Sequence, residues 1–152
     1  METYDKAKAA RVWQRVQGEN AANPTQGLTG MIAEELSDSA IYQALSRRIP
    51  GNAGAVLRKM AQEELSHAAC LKGIYTLQGT GRPSLPPPPP VDNAPVQMLL
   101  RRCYGREMRC LAQYESRSGD PEYGQIYARM AQQEREHCRQ ILEILGSLPQ
   151  EK

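Results

Sequence analysis

MAQEELSHAACLKGI, residues 60–74, reads at helical spacing as an apolar stripe of Met60, Leu71 and Ile74 with Glu64 and His67 set in its middle. The pattern returns in MAQQEREHCRQILEI, residues 130–144, where Met130, Ile141 and Ile144 make the stripe and Glu134 and His137 interrupt it. Steps of four, three, four and three residues separate the five positions in both copies, and on an α-helix those steps return to one face. That is the face a bundle helix turns toward its core, so each copy aims a carboxylate and an imidazole inward. An isolated ionised carboxylate in an apolar interior is too costly to leave alone; it is protonated, ion-paired or bound to a metal.

The segments ahead of each copy show the same oddity. Along Leu28, Met31, Glu35, Asp38, Tyr42, Leu45 and Ile49 the steps are again three and four, which turns Glu35 inward. Along Val96, Leu100, Cys103, Glu107, Cys110 and Tyr114 the same holds for Glu107. In each half the glutamate precedes a tyrosine by seven residues, and M-A-Q-x-E-x-x-H follows on the next helix, so the chain reads as a duplicated helical hairpin. His67 and His137 are the only histidines in the sequence.

Around this core the expected organisation is all-α, with periodicity near 3.6 throughout and few β-branched runs. A short leading helix at about residues 4–18 ends at Gly18, before the turn-rich ENAANPTQG, and residues 1–24 are expected to pack on a bundle formed by 25–148. The next helix is stopped by IPGN; Asn52 is placed to cap its successor, which continues to about Leu77. QGTGRPSLPPPPPVDNAP, residues 78–95, cannot be helical, and its five consecutive prolines alone extend roughly 15 Å as polyproline II. Neither flank is an obvious independent core, so this segment is expected to be a strap within one four-helix bundle. Asn93-Ala94-Pro95, Gly119, Asp120-Pro121 and Gly146 then bound the last two helices.

Composition narrows the function classes. At 152 residues, 40% hydrophobic and with a formal charge of +2, the chain is the size of one domain, and its basic residues are scattered apart from Arg47–Arg48 and Arg101–Arg102, so a nucleic-acid footprint is not indicated. No apolar run approaches the ~20 residues of a membrane span, and METYDKAKAA lacks a signal-peptide core, so a cytoplasmic protein is expected. Cys70, Cys103, Cys110 and Cys138 contain no C-x-x-C, which argues against a zinc ribbon or a rubredoxin-type iron site. They read first as small core residues, with a thiol near the site as the alternative, since Cys103 and Cys110 lie on the inward stripe and Cys70 sits one turn past His67.

Four inward carboxylates converging on one another repel strongly, and two divalent cations cancel them while leaving two neutral imidazoles as further ligands. Oxygen-rich ligation with one nitrogen per metal suits two iron ions, with manganese as the alternative, better than structural zinc.

EELSDSAIY, MAQEELSHAACL, GREMRCLAQY and MAQQEREHCRQIL together resemble the rubrerythrin branch of the ferritin-like superfamily across roughly residues 28–146, with the proline strap in the place of that family's long crossover. The resemblance implies a ferritin-like four-helix bundle with one long crossover, here 78–95, and a diiron centre that reacts with hydrogen peroxide or dioxygen. It implies that Glu35, Glu64 and His67 serve one metal and Glu107, Glu134 and His137 the other, with Glu64 and Glu134 placed to bridge. Asp38, Tyr42, Cys110 and Tyr114 are then the surrounding residues, the tyrosines as hydrogen-bond donors to ligand carboxylates or as plain core bulk. Two departures stand out. The cysteines supply no rubredoxin domain, so an external electron-donor protein is expected, and Cys110 occupies the position of the family's additional glutamate. The alternative functions are iron oxidation for sequestration, with a larger oligomer, and a metal-free structural or partner-binding bundle. ILGSLPQEK at the C-terminus faintly resembles tags that direct such proteins into encapsulin shells, and a homodimer is the base-rate assembly.

Overall fold

A computed structural model describes residues 27–79 and 81–149. The expected leading helix and the 1–24 unit lie outside the described residues. These form four helices, α1 (Leu28–Arg48), α2 (Asn52–Gln78), α3 (Val96–Arg117) and α4 (Gly124–Ser147), and contain no strand.

The boundaries follow local chemistry, with small corrections to the sequence reading. Pro50 forces the residue before it out of the helical region, and Ile49 is extended (φ −118°, ψ 109°) as α1 ends. Asn52 does not cap α2. The cap position falls on Gly51 at φ +79°, and no side chain closes the end, because the tight reversal demands a backbone that glycine adopts without steric cost. Asp120 does not start α4 directly: its Oδ1 accepts the N–H groups of Glu122 (2.9 Å) and Tyr123 (2.8 Å), making a turn before the helix opens at Gly124.

Each hairpin closes through a glycine without room for a side chain. A Cβ on Gly54 would lie 2.3 Å from the Ile49 carbonyl oxygen, and one on Gly124 would lie 2.4 Å from that of Ser118. Both glycines stand ten residues ahead of the inward glutamate of their helix, so the duplication extends to how each hairpin turns.

α1 packs along α2 and α3 along α4; the hairpins then meet through α1 against α3 and α2 against α4. Tyr42 of α1 bonds Glu107 of α3 while Tyr114 of α3 bonds Glu35 of α1, a reversed order that makes these two helices antiparallel.

The interior is layered. One apolar cluster gathers Leu28, Ile32, Leu71, Ile74, Tyr127 and Met130. A second gathers Leu45, Leu57, Met60, Leu100, Ile141 and Ile144. Each large aliphatic side chain buried here contributes about 1.5–3 kcal/mol. Residues 81–95 carry no helix or strand and run over the outside from Leu85, packed on the first cluster, to Ala94, packed on the second, where the Ala94 carbonyl accepts Arg48 Nη1 at 2.8 Å. A cavity of about 180 Å³ lies beneath this segment, lined by Ile41, Pro89, Pro90, Arg102, Cys103 and Arg106 among others. No described helix is long and apolar enough to cross a membrane.

Candidate metal centre

The polar layer contains the six residues that the periodicity turned inward. Glu35, Glu64, Glu107, Glu134 and His137 are fully buried, and His67 is 2% exposed. They fall into two groups whose ligand atoms lie within 4.8 Å of one another: Glu35, Glu64, His67 and Glu134 in one, and Glu64, Glu107, Glu134 and His137 in the other. Glu64 and Glu134 belong to both. Either group has the donors and the closeness to hold a metal ion.

Both imidazoles point Nδ1 into the cluster. His67 Nδ1 lies 2.8 Å from Glu134 Oε1 and 3.5 Å from Glu35 Oε2. His137 Nδ1 lies 2.6 Å from Glu64 Oε1, 3.4 Å from Glu134 Oε2 and 3.5 Å from Glu107 Oε2. The buried atoms without an ordinary hydrogen bond include Glu35 Oε2, both oxygens of Glu64 and of Glu134, Glu107 Oε2 and the two Nδ1 atoms. These are the inward-facing atoms, and their neighbours are one another. Native interiors seldom leave so many polar atoms unsatisfied, and this donor set is what a coordinated cation satisfies.

The electrostatics are those of a cluster short of positive charge. Burial by itself lowers an imidazole's pKa, but hydrogen bonds and charge from Glu134 and Glu35 outweigh it and push His67 up to about 10. At His137 burial is likewise overcome, by Glu134, Glu63 and Glu64, and the group is pushed up to about 12. The two shared carboxylates separate. Burial, reinforced by a hydrogen bond with Glu35, drives Glu64 well above the usual range; burial also acts to raise Glu134, but hydrogen bonds from His137 and His67 prevail and hold it low. Without metal, protons on the imidazoles supply the countercharge.

Tyr42 Oη donates to Glu107 Oε1 and Tyr114 Oη to Glu35 Oε1, each at 2.5 Å. Each tyrosine thus reaches the glutamate of the other hairpin, ties down one carboxylate oxygen and leaves the second facing the cluster. Asp38, 1% exposed, is ion-paired with Arg106 Nε at 2.7 Å; burial still raises its pKa to about 7 against the lowering effect of that guanidinium. Cys110 lies beside the site, its Sγ 3.6 Å from Glu34 Oε2, and burial pushes its pKa far up, so it is a neutral thiol. Cys103 and Cys138 are also buried, whereas Cys70 is exposed and does not face the centre. The turn after His67 carries Cys70 past the inward stripe.

Three residues of the site escaped the sequence reading. Glu63 Oε2 lies 3.2 Å from His137 Nε2, Gln133 Oε1 is hydrogen-bonded to His67 Nε2, and Arg106 pairs Asp38. Glu63 and Gln133 sit one position before the inward glutamates, about 100° around the helix, where periodicity counts a residue as outward. Their partners lie on the opposite hairpin, so only the packing discloses them. Comparison of the chain with protein-family models, with curated proteins and with solved structures finds no match, and the residues of the centre themselves carry the functional reading.

Proposed function

We propose that this is a rubrerythrin-like protein of the ferritin-like type, holding two iron ions in its polar layer and using them to react with hydrogen peroxide or dioxygen. One observation carries the reading: two Glu/His groups share Glu64 and Glu134 in a buried layer whose inward atoms have no other partners. Four carboxylates balance two divalent cations, and mostly oxygen donors with one imidazole per group favour iron, or manganese, over structural zinc. The path of residues 81–95 between the two apolar clusters supports the ferritin-like comparison, since a long connection of this kind characterises those bundles.

Glu35 with His67 would hold one ion and Glu107 with His137 the other, with Glu64 and Glu134 between them. A bound iron pair supplies two electrons to a small oxidant. The chain's own part is to exclude water with the two apolar clusters, to fix the end carboxylates through Tyr114 and Tyr42, and to present Nδ1 of each imidazole. The cavity under the strap is lined by Arg106, which pairs with buried Asp38 one turn from Glu35. Repeated turnover draws electrons from a separate donor protein.

The test is anaerobic loading with Fe(II), desalting and metal analysis, followed by rapid mixing with peroxide or dioxygen. The expected result is about two irons per chain, lost in a Glu64→Ala/Glu134→Ala variant, and prompt oxidation by one of the two oxidants. Absence of bound metal in the parent chain sinks the reading. Uptake of many irons per chain as mineral moves it to iron storage.

A further inference from the structure

The two halves of the centre are copies in sequence, with one difference at the point where each histidine is held from behind. The first copy reads M-A-Q-E-E and the second M-A-Q-Q-E, so Glu63 and Gln133 occupy equivalent positions. Their contacts cross between hairpins: Glu63 of α2 faces Nε2 of His137 on α4, and Gln133 of α4 faces Nε2 of His67 on α2. Both residues are only half-buried, while the imidazoles they touch are closed off from water.

A carboxylate and an amide do different things to an imidazole. An ionised carboxylate only accepts hydrogen bonds, so Glu63 requires a proton on Nε2 of His137 and, once that ring is neutral, fixes a lone pair on Nδ1, the atom facing the cluster. It also makes the ring a stronger donor and adds a negative charge behind it. An amide has both an acceptor oxygen and a donor NH₂. Gln133 places its oxygen on His67, but turning the amide over lets it donate instead, which puts the ring proton on Nδ1 and blocks the metal-facing atom. Gln133 therefore neither enforces the productive tautomer nor adds charge. Asp38 sits one turn from Glu35 and would strengthen the His67 half, but its charge is answered by Arg106 at 2.7 Å.

From this crossed arrangement we infer, on the basis of the dimetal reading above, that the two metal subsites are inequivalent. The Glu64, Glu107, Glu134, His137 subsite fills first and binds tightly, and the Glu35, Glu64, His67, Glu134 subsite fills second and exchanges its metal. Glu63 and Gln133 are the positioning residues that set this order. A centre so built keeps one ion resident and loads the other from solution, so the half-loaded protein is a defined state.

The experiment is a titration of metal-free protein with Co(II), which does not oxidise under these conditions, followed by its visible d–d absorption and by calorimetry. The parent chain is expected to bind in two steps separated by ~10–100-fold in affinity, the usual effect of an outer partner on a metal-bound histidine. Glu63→Gln should weaken the first step toward the second, and Gln133→Glu should tighten the second toward the first. The exchange variant Glu63→Gln/Gln133→Glu should restore two separated steps, with Glu35→Ala now removing the tight one where in the parent background it removes the weak one. Circular dichroism and thermal melting of each variant verify folding. Two equal steps in the parent chain, unmoved by either single substitution, overturn the inference while leaving the metal pair standing. Failure of the parent chain to bind Co(II) or Fe(II) at all overturns the dimetal reading and this inference with it.

Discussion

The hydroxyl of Tyr42 on α1 donates to Oε1 of Glu107 on α3 at 2.5 Å, across the seam between the two hairpins, and Tyr114 returns the same bond to Glu35. Replacing Tyr42 by Phe keeps the ring in its apolar cluster but leaves a buried carboxylate oxygen without its donor. A hydrogen bond to a charged group contributes about 1.5–3 kcal/mol, so urea unfolding of metal-free Tyr42→Phe should show a loss in that range with native helix content retained. Tyr114→Phe should behave alike. A loss well under 1 kcal/mol for both would mean that the tyrosines serve as core bulk alone.

The sharing of Glu64 and Glu134 separates the carboxylates into two kinds. Glu64→Ala or Glu134→Ala removes a ligand from both groups, whereas Glu35→Ala or Glu107→Ala removes one from a single group. Metal analysis after Fe(II) loading should therefore give nearly empty protein for the first two variants and about one iron per chain for the other two. Equal losses across all four would place the ions differently.

These groupings show how far the sequence could be read. Glu35, Glu64, His67, Glu107, Glu134 and His137 were legible because each stands on an apolar stripe with regular spacing, and burial confirms the face each one occupies. The stripe also disclosed Asp38, buried as its register requires, but not its partner Arg106, which comes from another helix. Glu63 and Gln133 are invisible to periodicity for the same reason. Proline and glycine gave the helix ends to within a residue or two, yet Asn52 looked like a cap because its side chain suits one; the reversal at Gly51 needed positive φ more than it needed a cap.

Two arginines on α3 give a contrast in burial. Arg102 pairs with Asp92 of the strap at 2.9 Å, but both side chains are more than half exposed, so Arg102→Ala should change stability by less than about 1 kcal/mol. Arg106 pairs with Asp38, which is closed off from water, and Arg106→Ala strands that carboxylate. Burial already raises Asp38 to about 7, so without the guanidinium its carboxyl takes up a proton; the expected loss in denaturant unfolding is about 1–3 kcal/mol, that of an unsatisfied buried polar group, and it is larger at pH 8.5 than at pH 6.

Protonation of the centre gives the metal-free protein a signed pH response. The folded-state values of His67 (about 10) and His137 (about 12) lie above the free imidazole value of 6.5, so proton binding favours the folded state. That contribution is complete below pH 6.5, erodes as pH rises above it, and is gone once pH has passed through the folded values. Thermal melts of the metal-free chain should show Tm falling from pH 7 toward 11, less steeply in His67→Gln/His137→Gln. Metal binding must displace the imidazole protons, so calorimetry at pH 7 in buffers of different ionisation enthalpy should register proton release, with affinity rising as pH rises.

Gly54 and Gly124 test the hairpin turns without touching the centre. Alanine at either position brings a Cβ to 2.3–2.4 Å from a backbone carbonyl oxygen that cannot move aside without unwinding the neighbouring helix end. Gly54→Ala and Gly124→Ala should each destabilise by about 1–3 kcal/mol or more in thermal melts, against the usual gain from replacing a helical glycine.

Neither hairpin holds a complete Glu/His group. The one containing His67 borrows Glu134, and the one containing His137 borrows Glu64; both outer histidine contacts and both tyrosine bonds also cross the seam. A single ancestral hairpin could have built this centre only by pairing with a second copy of itself. In this chain the strap at residues 81–95 keeps the two similar halves together, and they differ at Glu63 and Gln133. A chain cut within the strap should accordingly yield two fragments that bind metal only when they are mixed.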